Sequence, residues 1–401
     1  MPLSIDTVRV AESVRRLRAW VEARGFRGYE VYDALSSPLI RRAGNRWIKI
    51  AATQFLRRSP VNVRPLLGIR RDYNPKGMGL FLAAYVKLYR LGDAAALGQV
   101  EWLADWLLEH RSRGYRGAGW GYNWDWQSRA FFLPKGTPTV VNTAFVGHAF
   151  LDAWEAVGKP LWLETARSAC DFVLEDLRRT CGPDGSFCFS YTPIDDTAIH
   201  NANYLGASLL ARVGAATDER RLVETAAAAY DYSTRHQRPD GSWPYAETTY
   251  QTWVDSYHTG FNLEALLRYG LTIDPGRYGE ALRRGCAFYV DRFFRADGAP
   301  RYYHDRDYPV DIHSPAQAFV TLSRLREFHP AALAVLGRVL DWTLRHMQDR
   351  RGYFYFRRGR ILTNRIPYIR WGQAWAMHGL TTVLLEARAS AEAAAPTRVQ
   401  P

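Results

Sequence analysis

His200, His258 and His313 follow one another at intervals of 58 and 55 residues in a chain of 401. Three imidazoles brought to one place suit two kinds of chemistry. They can hold zinc or a similar divalent ion, or they can move protons, because imidazole titrates near neutrality. Asp255 and Asp311 stand three and two residues before His258 and His313, where a carboxylate can orient the ring or cap the following helix. Tyr257 adjoins His258, and Tyr191 and Tyr303 fall in corresponding loops. A phenol beside an imidazole suits removal of a proton from a carbon next to a carboxylate, with Asn201 or Asn203 as the donor that neutralises the charge.

A second set offers different chemistry. Asp125, Asp195, Asp196, Asp255 and Asp311 all lie in loops, and hydrolysis of a glycosidic bond needs two carboxyl groups across it. The run Trp124-Asp125-Trp126-Gln127, with Arg129 close behind, is too polar for a core and reads as a binding surface. Aromatic rings pack on the C–H faces of sugars while amides and guanidinium groups bond their hydroxyls. Arg129, Lys135, Arg365 and Arg370, the last beside Trp371, form a basic set able to hold a uronate or phosphate.

Composition narrows the classes. Lys and Arg number 53 against 40 Asp and Glu, a net charge of +13 that favours an anionic partner. No Lys/Arg-rich block accompanies it, so nucleic acid is not expected. The sequence has no phosphate loop, dinucleotide fingerprint or serine nucleophile elbow. The first thirty residues lack an apolar run of signal-peptide type, and no stretch approaches a membrane span. Four cysteines without metal-type pairing fit free thiols, hence a cytoplasmic location. Oligomeric state is not legible.

The elements that must position these residues are repeated. Asp105-Trp106, Asp171-Phe172, Asp231-Tyr232, Ala287-Phe288 and Asp341-Trp342 recur at intervals of 66, 60, 56 and 54 residues. Most are followed by a turn such as Asp184-Gly185, Asp240-Gly241 or Asp297-Gly298. Helix starts then recur near Lys76, Pro138, Ala198, Ser256, Ile312 and Arg370. Six Gly- and Ala-rich inner helices alternating with amphipathic outer ones predict an all-α (α/α)6 toroid of six helical hairpins, with short strands in the loops. The expected domain is 1–389, with 390–401 as a disordered tail. Residues 7–24 and 40–57 supply the outer helix missing before the first inner one.

On the segments Gly119–Gln127 and Phe189–Asp195, the chain resembles the six-hairpin toroid enzymes that act on carbohydrates. These are the unsaturated uronyl hydrolases, the toroid polysaccharide lyases and the toroid domain of glucuronyl C5-epimerases; it looks most like proteins encoded with bacterial polysaccharide genes. The resemblance implies an enzyme acting on a uronate-containing saccharide in polysaccharide synthesis or turnover, by elimination, epimerisation or hydrolysis. A second resemblance competes. Gln237-Arg238-Pro239-Asp240-Gly241-Ser242-Trp243 is similar to the Gln-Trp repeat of terpenoid cyclases and prenyltransferases, and Asp195-Asp196-Thr197-Ala198 to the acidic motif of class II terpene cyclases. Pro193 stands where that motif needs a further Asp. A non-catalytic toroid that binds glycan is the third reading.

The expected catalytic set is therefore His200, His258, Tyr257, His313, Asp196 and Asp255. Trp124, Asp125, Trp126, Gln127, Arg129, Tyr191, Asp195, Asn203, Tyr303, Arg370 and Trp371 are expected to bind substrate. The three histidines are expected to open onto one cavity. No cofactor is required, although these three imidazoles would suit a divalent metal.

Overall fold

In the computed structural model, residues 5–127 and 132–394 are described. Six inner helices surround an axis: α4 (Pro75–Arg90), α6 (Val140–Val157), α8 (His200–Thr217), α10 (Ser256–Thr272), α12 (His313–Arg324) and α14 (Trp375–Ala394). Each touches the next, and α14 closes the ring against α4. Outer helices α5 (Ala96–Glu109), α7 (Pro160–Glu175), α9 (Arg220–Arg235), α11 (Gly279–Arg292) and α13 (Ala332–His346) pack on the inner helix they follow. The sixth outer helix is α1 (Thr7–Glu22), and its partner is the last inner helix, α14. The chain is an (α/α)6 toroid. No helix among the described residues is long and apolar enough to cross a membrane.

Inner helices are buried nearly all round because they meet neighbours on both sides; α8 buries every residue from His200 to Ala211. Outer helices bury one stripe, as in α13 through Val335, Leu336, Val339 and Leu340. The turns lock the ring from outside. At Gly241 (φ +89°) a Cβ would lie 2.3 Å from the Arg284 carbonyl of α11, and at Gly352 (φ +102°) 2.3 Å from that of Arg16 in α1. Only glycine permits both the backbone angle and the approach. Gln237 Nε2 donates to Gly241 O and to Ala281 O of α11, and Gln348 Nε2 to Gly352 O and to Ser13 O of α1. Trp243 Nε1 donates to Ser233 O. The two glutamines thus tie their turns to the next outer helix, and Trp243 ties its turn back to α9.

Two expectations need correction. The segment 40–57 is not an outer helix: α2 (Pro38–Arg42) and α3 (Arg46–Arg58) lie at the mouth, and α3 buries only Thr53 and Leu56. The expected tail begins too early, because α14 continues to Ala394; residues 395–401 lie outside the described residues. The strands are short antiparallel pairs in the loops: β1 (Trp126–Gln127) with β2 (Phe132–Leu133), β3 (Arg179–Cys181) with β4 (Phe187–Phe189), and β5 (Val310–Asp311) with β6 (Arg357–Arg358) and β7 (Thr363–Asn364).

Candidate active site

One backbone hydrogen bond recurs around the mouth and sets the register of the inner helices. Val140, His200, Ser256, Ile312 and Ile369 donate their N–H to the carbonyls of Tyr191, Tyr245, Tyr302, Phe356 and Tyr29, at 3.0–3.3 Å; Ile369 opens the π-helical segment Ile369–Ala374 that leads into α14. The residues one position further on are Val141, Asn201, Tyr257, His313 and Arg370. In α4, Pro75 has no N–H to give, and the next residue is Lys76. All six of these residues are buried and line one cavity of about 570 Å³ at the N-terminal ends of the inner helices. Each residue turns a helix by about 100°, so only this position and its near neighbours face the axis.

That register corrects the histidine set. His313 sits in the ring of six and His258 one position beyond it, and both line the cavity. His200 carries the register bond itself and does not. Its Nδ1 lies 3.3 Å from Ser233 Oγ, and its ring packs on His236 of the outer layer. The three histidines therefore do not share a metal site.

His258 Nδ1 hydrogen-bonds Asp255 Oδ2 at 2.7 Å, and Trp253 Nε1 donates to the same oxygen at 3.2 Å. Asp255 Oδ1 accepts the His258 backbone N–H, capping α10. The Asp255 carboxylate is 1% exposed and the His258 ring 19%. A carboxylate holding the proton on Nδ1 leaves the Nε2 lone pair as the group able to take a proton. The His313 ring stacks on Tyr257 at 4.3 Å, and neither nitrogen has a hydrogen-bond partner. Burial, followed by the charges of Lys76 and Arg370, pushes its pKa well below the usual range, so it is neutral. Tyr257 OH lies 3.1 Å from Tyr302 OH, and burial keeps this phenol protonated.

Lys76 is the residue that sequence reasoning missed. Nζ lies 4.3, 5.5 and 5.3 Å from the ring centres of Phe145, Phe261 and Trp375, with neither hydrogen bond nor ion pair among the described residues. Burial first, then Arg370, pushes its pKa well below the usual lysine range. A cation in the first turn opposes the helix dipole, and that unfavourable placement was the available signal. Arg370 lies against Tyr122, Trp124 and Trp371. Its Nη2 is 3.1 Å from Glu30 Oε2, while its backbone N–H bonds Oε1 at 3.2 Å. Glu30 is pushed up to about 7 by burial, opposed by Arg370. Arg57 from α3 completes the cationic rim, over the Tyr32 ring.

Of the other expected residues, Trp124, Trp126, Gln127, Tyr191, Tyr303 and Trp371 line the cavity. Tyr302 rather than Tyr303 holds the register of Tyr191, and both face the cavity. Trp371 Nε1 donates to Asp311 Oδ1 at 2.7 Å, and Asp311 also pairs with Arg357. Four expectations fail on placement. Asp195 closes its own turn, accepting from the backbone of Thr192 and Thr197. Asp196 is exposed beyond that turn. Asp125 accepts the Lys135 N–H at 2.7 Å. Asn203 bonds Phe189 N, Ala229 O and Ser233 Oγ, and so belongs with His200 to the outer packing. Arg129 lies outside the described residues. No Asp or Glu is among the described residues lining the cavity.

No family model matches the chain, and no curated protein is similar in sequence. Solved structures share its architecture. A cellobiose 2-epimerase from Bacillus thermoamylovorans is 15% identical, with a TM-score of 0.61 over 80% of this chain and 90% of that one. A GH76 α-mannanase from Bacteroides thetaiotaomicron is 13% identical, with a TM-score of 0.61 over 78% and 86%. An unsaturated glucuronyl hydrolase specific for heparin is 12% identical, with a TM-score of 0.61 over 94% and 96%. The likeness is one of fold: the chain is built on the same (α/α)6 toroid as these carbohydrate-active enzymes.

Proposed function

We propose that the protein is an enzyme that transfers a proton at carbon in an anionic, uronate-type saccharide, as an epimerase or an eliminase. The single observation that carries this reading is the cavity's inventory: a carboxylate-held imidazole, a neutral imidazole and protonated phenols, without a carboxylate among the described lining residues. His258 Nε2 is the base. Tyr257, whose ring centre is 4.1 Å from that of His258, keeps its proton and is suited to donate it. Lys76, Arg370 and Arg57 supply positive charge for a carboxylate and for the enolate formed when the neighbouring C–H is broken. Trp124, Trp126 and Trp371 offer ring faces to the sugar. Hydrolysis by two carboxyl groups lacks its acids here. Isoprenoid protonation lacks a carboxyl in the cavity, because Asp195 is committed to its turn. A setting in bacterial polysaccharide synthesis or turnover, in the cytoplasm, is part of the proposal and rests on the sequence resemblance.

The test is incubation with uronate mono- and oligosaccharides in D2O. Deuterium entering next to the carboxylate, seen by NMR, indicates epimerisation; a new conjugated C=C absorbance indicates elimination. Binding without either signal would leave a glycan-binding toroid. Release of reducing sugar without deuterium uptake would mean hydrolysis and overturn the proposal.

A further inference from the structure

The geometry points to a second site, outside the cavity: we propose that His200, His236 and Glu247 bind a divalent transition-metal ion of zinc character. One donor atom from each residue lies within 4.8 Å of the other two, and His236 Nε2 is 3.6 Å from Glu247 Oε1. Tetrahedral bonds of about 2.0–2.2 Å set donor atoms about 3.4 Å apart, so a modest closure of side chains suffices. The two imidazole centres are 4.9 Å apart, close to the spacing of about 5 Å for two rings sharing one ion.

Two independent features aim these donors at a cation. His200 is 0% exposed and its Nε2 has no hydrogen-bond partner, an arrangement that costs free energy in a protein interior. His236 Nδ1 lies 2.8 Å from Tyr232 O. A carbonyl only accepts, so Nδ1 carries a proton and Nε2 is the ring nitrogen turned toward the Glu247 carboxylate. A cation placed between them would be bound by both. The remaining nitrogen of His200 meets Ser233 Oγ, which Asn203 also holds; such outer contacts orient ligating imidazoles. No Lys or Arg among the described residues pairs with Glu247.

The ion would act on the mouth from outside. His200 opens α8, His236 ends α9, and Glu247 follows Ala246, which pairs with Ile199. The same loop delivers Tyr245, Tyr250, Gln251 and Trp253 to the cavity. Three protein ligands would thus fasten a mouth loop to two helices and leave a fourth position for water.

The test is zinc titration of the chelator-stripped full-length protein against a chromophoric competitor, followed by cobalt substitution. Wild type should take up one zinc per chain, zinc should slow proteolysis between Gln237 and Val254, and the cobalt form should lack a thiolate band. His236→Gln and Glu247→Gln, at partly exposed positions, should each weaken zinc binding by at least tenfold while the near-ultraviolet circular dichroism stays unchanged. His258→Gln and Cys181→Ser should bind zinc as wild type does. Absence of stoichiometric zinc in wild type, undiminished zinc in the double variant, or loss on Cys181→Ser would overturn the proposal.

Discussion

The two ends of the ring carry the same kinds of residue and treat them oppositely. At the far end, where the inner helices finish, three arginines meet acids. Arg212 pairs with Asp152 and Glu155 at 2.8 Å each, Arg324 with Glu264 at 2.9 Å, and Arg326 with Glu386 at 2.9 Å. Lys87 Nζ lies 3.1 Å from His378 Nδ1 and is pushed down to about 7 by burial. These cations also sit at the negative ends of the helix dipoles. At the mouth, Lys76 has no acid, Arg370 has one buried beneath it, and both stand at the positive ends. The space differs as well: about 30 Å³ along the axis toward the far end against about 570 Å³ at the mouth. Positive charge alone therefore does not mark a site. Positive charge held against burial and dipole, beside open volume, does, because an anionic ligand of the kind proposed would complete it.

The sharpest test of that contrast is at the base. Asp255→Asn should leave His258 in the wrong tautomer and lower proton exchange at carbon by about 10²–10⁴-fold with little change in KM. Exchange followed by NMR checks this; an unchanged rate would remove His258 from the chemistry.

Next in size is the effect of pH on folding. Glu30 titrates near 7 in the folded protein, above the ordinary carboxyl value. The folded state then binds more protons than the unfolded one between about pH 4.5 and 7, so stability falls as pH rises through that window, by up to about 3 kcal/mol. Denaturant unfolding of wild type and Glu30→Gln at several pH values should show the slope only in wild type.

Lys76→Met should weaken an acidic oligosaccharide by about 1.5–3 kcal/mol, the worth of a charge-assisted bond. A neutral analogue should be affected far less, and the melting temperature should hold or rise because an unpaired buried amine is gone. Lys87→Met at the far end should leave both affinities unchanged. Equal losses for acidic and neutral sugars, by calorimetry, would make Lys76 a structural residue.

The smallest effect is expected at the paired end. Arg212→Met should cost about 1 kcal/mol of stability, given its partly exposed partners, with turnover per folded molecule unaltered. A loss of turnover there would mean that the two ends are coupled.

The ring was legible because its devices are local and repeated: Asp-Gly turns, Gln at the turn, aromatic pairs, small residues on inner helices. The site was legible by residue type at Arg370, Trp371, His258 and the Trp124–Gln127 run. It failed where the helical register decides the outcome. Counting from Ala198 and Ser256 aligns His200 with His258, but the register bonds at His200 and Ser256 make Asn201 the counterpart of Tyr257. His200 stands one position before the ring of six and His258 one position after it, an offset of two that turns the side chains to about 200° of helix rotation from each other. Lys76 was hidden because a single cation in Asn74-Pro75-Lys76-Gly77 reads as a helix start. The segment of α3 was misplaced because an amphipathic stripe does not say which neighbour it covers.

Glu30 and Arg370 are separated by 340 positions along the chain, and Arg9 and Asp341 by 332. During synthesis, His258 and Tyr257 leave the ribosome long before Arg370 and Trp371, and α4 waits with one flank bare until α14 arrives. A nascent chain that stops short of residue 370 has most of the wall and none of the closure. The mouth is therefore completed late, and partial products of translation carry many of its groups without the closed ring.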